Sequence, residues 1–315
     1  MNDNRKFIHA IFLFALPVIV AWYGVSTAGA IALVLLALAW RWAIVIAGFV
    51  RPPKIPTLEL ETIGISHFAE KVRWCLDRLG VEYSERRMAG IIGVLFTGRS
   101  VPVLRFRTGM VTSSIGNSPE ILRYLWGRYH AELGQEAAFL EPTAERLEME
   151  RMLDRYGVHL QIWVYYHILA HKDIALRAWG VFDPRVPAWQ RGLVKLLYPL
   201  LRLFLERVFK ITEAHYQRTV ENIDKLFDEV ESRLDDGRRS ILGGDETDFV
   251  DITMAALSTI WVQPEEFAGG ASKDALIGQG GFPIQMGVDV ERWADKYPLT
   301  KAFVERLYRE ERTSA

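Results

Sequence analysis

Ser66 is placed where its hydroxyl could take part in chemistry. The alternating segment Thr57–Thr62 predicts a strand, residues 64–66 predict a turn, and a helical pattern begins directly afterwards. The hydroxyl would then lie at the positive end of a helix dipole, where a bound anionic group is stabilised. A simpler role as helix N-cap is compatible with this chemistry. The neighbouring His67 titrates near neutral pH, and we predict a supporting role for it.

Pro102 and the pair Asn117-Ser118 also stand at the ends of predicted elements. Pro102 opens an apolar strand pattern over residues 101–106. Because proline removes a ladder donor, a cis peptide after Val101 is one expectation. A helical pattern follows from Ser118 to about residue 129, and we expect Ser118 to cap that helix.

Cysteine and histidine usage argues against redox and metal chemistry. Cys75 is the only cysteine, which excludes an intramolecular disulfide and a cysteine-based zinc site. It falls on the apolar face of its predicted helix, where a thiol packs as a small hydrophobe. His167 and His171 are four residues apart, on one helix face, but lack the intervening glutamate of a zinc motif. We therefore predict no metal.

These residues must be positioned by a strand-helix-strand unit. The first strand leads into a helix that ends at Gly80, and residues 81–84 predict a second strand, which gives a parallel pair with a right-handed crossover. Strands over 101–106 and 110–112 precede the helix that starts at Ser118. From Thr143 onward the pattern is helical to the end, and its first helix is predicted to run through His171.

Four segments, in order, resemble the glutathione transferase family. They are Ile-Ser-His-Phe-Ala-Glu-Lys-Val-Arg-Trp at 65–74, Val-Pro-Val-Leu at 101–104, Asn-Ser-Pro-Glu-Ile-Leu-Arg-Tyr-Leu at 117–125, and the Gly-Asp and Asp-Phe-Val-Asp pattern at 242–252. The resemblance covers residues 56 to about 310. It implies an α+β chain, with a thioredoxin-like glutathione-binding domain over 56–133 and an all-helical domain over 140–315.

The resemblance also assigns roles to the residues singled out above. Ser66 would stabilise the glutathione thiolate, Val101 before Pro102 would bond the cysteinyl backbone, and Ser118 would hold the γ-glutamyl carboxylate. Asn117 stands where the family usually has an acid, so the contact to the γ-glutamyl ammonium loses charge assistance, about 1 kcal/mol. Serine at position 66 and alanine at 69 leave conjugation or a non-redox role.

Further residues are assigned by the resemblance less directly. Arg99 or Lys71 could pair with the glycyl carboxylate, although a solvated surface position is the simpler expectation. Glu70 and Arg73 are interpreted as exposed. The family's pocket for a hydrophobic co-substrate would be lined from the long helix, whose aromatic residues otherwise pack in the core. The candidates on this helix are Trp163, Tyr165, Tyr166 and His167. Of these we predict Tyr166 as a pocket residue, together with His67 from the first helix.

The N-terminus predicts a membrane anchor over residues 1–54. Residues 7–50 are apolar almost throughout, with turn-prone residues at 24–29, so we predict two spans, 7–23 and 28–49, joined as a hairpin. Basic residues at 5–6 and at 51 and 54 place both ends, and the soluble domain, on the cytoplasmic side. A cleaved signal peptide and a single long tilted helix are the alternatives. Residues 189–211 are apolar and basic, which fits either a membrane-surface helix or a core helix.

The composition of the chain limits which kinds of partner it can bind. The chain has 315 residues, 24% of them charged, and a formal net charge of −1, so it carries no basic footprint for nucleic acid. The sequence therefore predicts a membrane-anchored glutathione transferase that uses glutathione as co-substrate and transfers its thiolate to a small hydrophobic electrophile. The expected partners are glutathione, that substrate and the lipid bilayer, and a homodimer is compatible with the family. A non-catalytic scaffold of the same fold is the alternative.

Overall fold

The computed structural model describes residues 11–24, 26–50, 56–90, 101–108, 111–270 and 276–312. The chain divides into two compact units. One comprises Met1–Thr57 and Phe106–Ser113, and the other Leu58–Arg105 and Ser114–Ala315. The predicted boundary between a domain over 56–133 and one over 140–315 falls inside the second unit and stays a prediction.

The first unit contains a helical hairpin. A π-helical turn, Ile11–Ala15, continues into α1 (Leu16–Trp22), and α2 (Thr27–Val50) follows a turn at Gly24, whose φ is +65°. The two helices pack closely, since a Cβ on Gly29 would lie 3.7 Å from Cγ1 of Val20. The predicted break is therefore confirmed. Within α2, Thr27–Ala47 is long and apolar enough to cross a bilayer, whereas the described part of the first segment is shorter.

The sheet has four strands in the order β2-β1-β3-β4. They are β1 (Thr57–Thr62), β2 (Ser84–Arg87), β3 (Val103–Thr108) and β4 (Val111–Gly116). The pair β1-β2 is parallel, with Glu59 opposite Ser84, and α3 (His67–Arg78) connects the two strands. The predicted strand-helix-strand unit and the α+β class are confirmed.

Two strands begin later than predicted. β2 starts three residues late because the amide of Val81 donates to the carbonyl of Leu76 and is used to terminate α3, after Gly80 with its φ of +64°. β3 starts at Val103, since the preceding proline has no amide hydrogen for the ladder.

The region from Ser118 onward is helical in its described residues. Its helices are α4 (Ser118–Leu133), α5 (Ala144–Ile168), α6 (Lys172–Ala178), α7 (Ala188–Val208), α8 (Glu213–Leu234), α9 (Phe249–Val262), α10 (Ile284–Lys296) and α11 (Pro298–Glu311). Every residue of α9 is buried, between α3, α5 and α11. Its N-terminus carries the expected cap: Asp248 accepts from the amide of Val250 at 2.7 Å, and Asp251 accepts from that of Asp248 at 3.0 Å. The helix α5 ends at Ile168, three residues before the predicted end.

The charged residues of α3 correct one prediction. Glu70 and Arg73 were expected to be exposed, and both are buried. Glu70 accepts from Arg73 Nη1 at 3.1 Å and from Arg312 Nε at 2.8 Å. Lys71 is also buried, with its Nζ 2.7 Å from Glu150 Oε1, so the solvated position expected for it is wrong. Neighbours cover α3 around most of its circumference, which its amphipathic pattern could not reveal.

Candidate functional site

A cavity of about 560 Å³ lies in the second unit. Its wall includes Ser66 and His67 from the start of α3, Val101-Pro102 before β3, and Asn117-Ser118 at the start of α4. Residues far apart in the sequence, which were selected for their chemistry, thus surround one space. Arg99 lies outside the described residues.

Ser66 is the N-cap of α3. Its Oγ accepts a hydrogen bond from the amide of Ala69 at 3.2 Å, and its own amide donates to the carbonyl of Ile63 at 2.9 Å. The capping bond uses the oxygen as an acceptor, so the hydroxyl hydrogen remains available for donation. Capping and donation to a ligand are therefore compatible in this geometry.

His67 joins α3 to α5. Its ring Nε2 lies 3.2 Å from the carbonyl of Gly157, a geometry in which the nitrogen donates. Burial lowers the pKa of His67 to about 4, although the bond to Gly157 opposes this shift. The imidazole is therefore neutral at physiological pH and acts as a structural link.

Val101 and Pro102 are joined by a cis peptide bond, as expected from the sequence. The next element corrects a prediction, since the N-cap of α4 is Asn117 and not Ser118. Asn117 has a φ of 71°, in the region that favours glycine, and its side chain makes no capping bond. Such a conformation costs on the order of 1–3 kcal/mol and is common at functional sites.

Ser118 also lines this cavity. The residue is buried, and its Oγ finds no hydrogen-bond partner in the described part of the chain. A buried polar group without a partner is costly, about 1–3 kcal/mol. A ligand that donates to or accepts from this hydroxyl would remove that cost.

Asp154 is a cavity residue that the sequence analysis missed. Its Oδ1 lies 3.5 Å from Nζ of Lys71, which also bonds Glu150. Glu150 in turn accepts from Arg123 Nη2 at 3.1 Å. Burial raises the pKa of the Asp154 carboxyl, with the charge of Lys71 opposing the shift. The spacing of Glu150 and Asp154, one helical turn apart, was the available signal.

One face of α5 forms a long side of the cavity. Asp154, Val158, Tyr165 and Ile168 lie along this face and line the cavity, spanning about 21 Å at 1.5 Å per residue. The carboxylate is at the N-terminal end of the row, and the other end is apolar. The apolar surface is extended by side chains from α7 and α9, namely Phe204, Leu205, Val208 and Ile260.

The aromatic residues of α5 divide between cavity and core. Tyr165 lines the cavity, whereas Tyr166, the predicted pocket residue, does not. The hydroxyl of Tyr166 donates to Glu213, and its ring stacks on Tyr216 at 4.1 Å between centroids. Trp163 and His167 are buried and both bond Asp289. A one-residue step along a helix turns a side chain by about 100°, which separates Tyr165 from Tyr166.

The structure gives no support for cysteine chemistry or for a metal site among the described residues. Cys75 is buried, and burial raises the pKa of its thiol to about 12. The described residues contain no group of three or more His, Cys, Asp or Glu side chains that could hold a metal ion.

Comparison with known proteins finds similarity to solved structures. No family model and no curated protein match the chain. A glutathione S-transferase from Methylobacterium radiotolerans JCM 2831, in complex with glutathione sulfonate, is 16% identical, with a TM-score of 0.46, over 82% of this chain and 96% of that one. One from Methylobacillus flagellatus KT with glutathione bound is 12% identical, with a TM-score of 0.43, over 82% and 100%.

A third similar structure is Ure2p5 from Phanerochaete chrysosporium, cocrystallized with 1-(S-glutathionyl)-2,4-dinitrobenzene. It is 15% identical, with a TM-score of 0.41, over 82% of this chain and 97% of that one.

Proposed function

We propose that this protein binds glutathione in the cavity and transfers its thiolate to a hydrophobic electrophile at a membrane. The observation that carries the proposal is the convergence of Ser66, the Val101-Pro102 cis peptide and Asn117-Ser118 on one space with a polar and an apolar end. These are the segments whose sequence resembles the glutathione-binding motifs.

The polar end would hold the tripeptide. The backbone of Val101 pairs with the cysteinyl residue as an added strand, and the free hydroxyl of Ser118 bonds the γ-glutamyl carboxylate. Asn117 supplies no charge for the γ-glutamyl ammonium. Asp154 is a carboxylate on the wall of the same cavity, and we assign that contact to it.

Ser66 would act on the sulfur. An unperturbed thiol titrates near ~8.5, and a hydrogen bond donated by Ser66 at the positive end of α3 favours the thiolate. The thiolate attacks an electrophilic carbon, a carbon–sulfur bond forms, and the leaving group departs with its electron pair. Where the substrate is an activated alkene, the electron pair moves to the neighbouring carbon, which then takes a proton from water.

The apolar end would bind the electrophile. Val158, Ile168 and Phe204 offer surface to a hydrophobic molecule, and Tyr165 adds a hydroxyl. Burial raises the pKa of Tyr165, which keeps that hydroxyl a neutral donor.

The N-terminal hairpin would anchor the protein in a bilayer with the soluble unit on the cytoplasmic side. Support comes from the length and apolarity of Thr27–Ala47 and from the basic residues that flank the apolar region in the sequence. Lipophilic electrophiles concentrate in bilayers, which makes this location suitable for the reaction.

The decisive experiment uses the full chain in detergent or nanodiscs. Calorimetry should detect glutathione binding, and the chain should conjugate a model electrophile. Ser66→Ala should leave binding largely intact, lower the rate at neutral pH and shift the pH–rate profile to higher pH, because a thiolate-stabilising donor is lost. Cys75→Ala is the control, since a buried thiol of raised pKa contributes no nucleophile.

Two outcomes would contradict the proposal at different points. An unchanged pH–rate profile in Ser66→Ala would remove Ser66 from the mechanism. Absence of glutathione binding would favour the non-catalytic scaffold, which the neutral side chain at Asn117 supports.

A further inference from the structure

The helix α7 carries an apolar stripe that no part of the described chain covers. The stripe consists of Trp189, Leu196, Leu200 and Leu203, which are 62%, 75%, 65% and 44% exposed. The last three follow the spacing of four and then three residues, so they share one helix face. The other face, with Val194, Tyr198, Leu201 and Leu205, is buried. A helix packed in this way has a second apolar surface available to an outside partner.

Basic residues run along one flank of α7, between the stripe and the buried face. Arg191, Lys195 and Arg202 form a row along α7, because they are separated by four and seven residues. The helix contains four basic residues and one acidic residue, Glu206, which is paired with Arg202 at 2.7 Å. The helix α7 therefore carries a net positive charge, which suits an anionic partner.

The cavity borders the other side of the stripe. Phe204 and Val208 line the cavity, and both side chains are partly exposed to solvent, at 40% and 55%. Phe204 lies one turn of α7 after Leu200 of the stripe, and Val208 lies one turn after Phe204. The exposed apolar surface is thus continuous with the apolar end of the cavity.

We propose that α7 docks on the surface of an anionic bilayer and delivers bilayer-dissolved electrophiles to the cavity. The stripe would enter the acyl boundary, and the row of Arg191, Lys195 and Arg202 would contact lipid phosphates. This orientation turns the cavity-lining edge of α7, with Phe204 and Val208, toward the hydrocarbon. The charges of α7 exclude a spanning orientation, and Arg207, at the end of the stripe, can extend its guanidinium to the headgroups.

A lipid surface fits the stripe better than a protein partner for two reasons. The helix α7 carries a net positive charge, and the chain has its own candidate span, Thr27–Ala47, which would hold α7 near a bilayer at high effective concentration. The inference rests on the proposed function only for this anchorage and for the identity of the reaction. Docking itself is measured independently of glutathione.

The test places a nitroxide on the full chain in nanodiscs, in a Cys75→Ala background. Leu200→Cys carries the label on the stripe, and Ile284→Cys, an exposed apolar position on α10, is the control. The nanodiscs contain phosphatidylcholine alone or mixed with phosphatidylserine. The nitroxide collides with oxygen, which concentrates in lipid, and with a nickel complex, which stays in water. For the label at position 200, the ratio of the two collision rates should rise several-fold when phosphatidylserine is present. For the label at position 284, the ratio should keep its value for water in both lipids.

Charge variants test whether the basic residues of α7 themselves attract the anionic lipid, or whether the net charge of the protein does. The pair Arg191→Glu and Lys195→Glu should abolish the response at position 200 to phosphatidylserine. The pair Arg218→Glu and Lys225→Glu makes the same charge change at exposed positions of α8 and should leave the response intact. A label at position 200 that stays aqueous in both lipids would overturn docking, even if calorimetry shows glutathione binding.

A second copy of the chain is the competing occupant of the stripe. Dipolar coupling between labels at position 200 of two copies, independent of lipid composition, would overturn the proposal in favour of a dimer interface.

Delivery of electrophiles from the bilayer to the cavity is tested with Leu196→Glu. This variant should slow conjugation of a bilayer-partitioned electrophile several-fold and leave a water-soluble electrophile unaffected, because Leu196 is not a cavity residue. Equal effects on both substrates would contradict delivery through the membrane.

Discussion

Ser66 and His67 are adjacent in the sequence but use their side chains differently. Ser66 Oγ caps α3 and keeps a hydrogen to donate into the cavity, while His67 is buried and bonds the carbonyl of Gly157. His67 therefore stabilises the packing of α3 against α5, whereas the hydroxyl of Ser66 is available to a ligand in the cavity. Asn117, another residue of the cavity wall, has a strained backbone, and its side chain is not used for capping.

The neutral state of His67 makes stability depend on pH. The unfolded chain binds a proton near pH ~6.5, but the folded chain does so only near pH 4. The contribution is therefore complete above pH ~6.5 and is lost as the pH falls toward 4, by about 3 kcal/mol. Denaturation in detergent micelles across this range should show this loss. His67→Gln should flatten the dependence, whereas His171→Gln, at an exposed position, should not. A slope unchanged in His67→Gln would assign the effect to another group.

Asn117 gives a prediction about ligand binding. Asn117→Asp should tighten glutathione by about 1 kcal/mol, several-fold in affinity, because a carboxylate adds charge assistance to the ammonium contact. The new charge would lie at the N-terminus of α4, where the dipole tolerates it. Calorimetric titration of both forms measures the change. Asp154→Asn should act in the opposite direction, and equal or weaker binding by Asn117→Asp would place the γ-glutamyl group elsewhere.

At the scale of elements, the site depends on how closely α3 approaches α5. The contact is made at Gly157, where a Cβ would lie 2.7 Å from Cζ of Phe68 and 3.0 Å from Cδ2 of Leu257. Phe68 also lines the cavity. The glycine is therefore required for close packing, and it sets the position of the α3 N-terminus with Ser66 and His67.

Gly157→Ala should separate these helices. Overpacking of this kind costs about 1–3 kcal/mol in the free energy of unfolding, and the shift of Phe68 should weaken substrate binding as well. Gly127→Ala, at an open position within α4, should instead stabilise the protein by about 0.5–1 kcal/mol, because alanine is the better helix former. Thermal or chemical unfolding measures both. A stabilising Gly157→Ala would mean that α3 and α5 are not in contact there.

At the scale of the whole molecule, distant parts of the chain converge on α3. Arg312, near the C-terminus, bonds Glu70 at 2.8 Å and Asp77 at 2.8 Å, and Ala268 donates its amide to Glu70. The charges of Glu70 and Arg312 are both buried, so each depends on the other for compensation. The helix that follows Ser66 is thus held by residues from the C-terminal part of the chain.

The N-terminal hairpin gives a prediction for the membrane topology of the whole chain. Reporters fused before Arg5 and after Arg51 should both be cytoplasmic, because basic residues at both ends resist translocation. Replacing residues 24–29 by a helix-forming apolar segment is a matched control, which should convert the hairpin into one span and separate the two ends. Opposite sides in the natural chain would show a single span, and loss of the first reporter by cleavage would indicate a signal peptide.

Local sequence patterns determined the elements and their inner faces. The alternation of residues 57–62 gave β1, Gly80 ended α3, and the buried positions Val72, Cys75 and Leu76 follow from helical periodicity. The cis peptide at Pro102 and the cap at Asp248 were also predictable, because proline and capping residues act on their immediate neighbours. Periodicity and turn chemistry are local properties, so they do not depend on which other elements a helix or strand packs against.

Tertiary structure decided which polar residues were buried and which apolar residues remained outside. Glu70, Lys71 and Arg73 lie on the polar face of α3 but are covered, because α5 and the C-terminal residues supply partners for their charges. Tyr165 and not Tyr166 faces the cavity, Asp154 joins it, and Leu196 and Leu200 on α7 stay exposed. A sequence specifies how apolar each face of an element is. Whether a neighbour covers that face depends on contacts between residues far apart in the chain, and only the folded molecule brings those together.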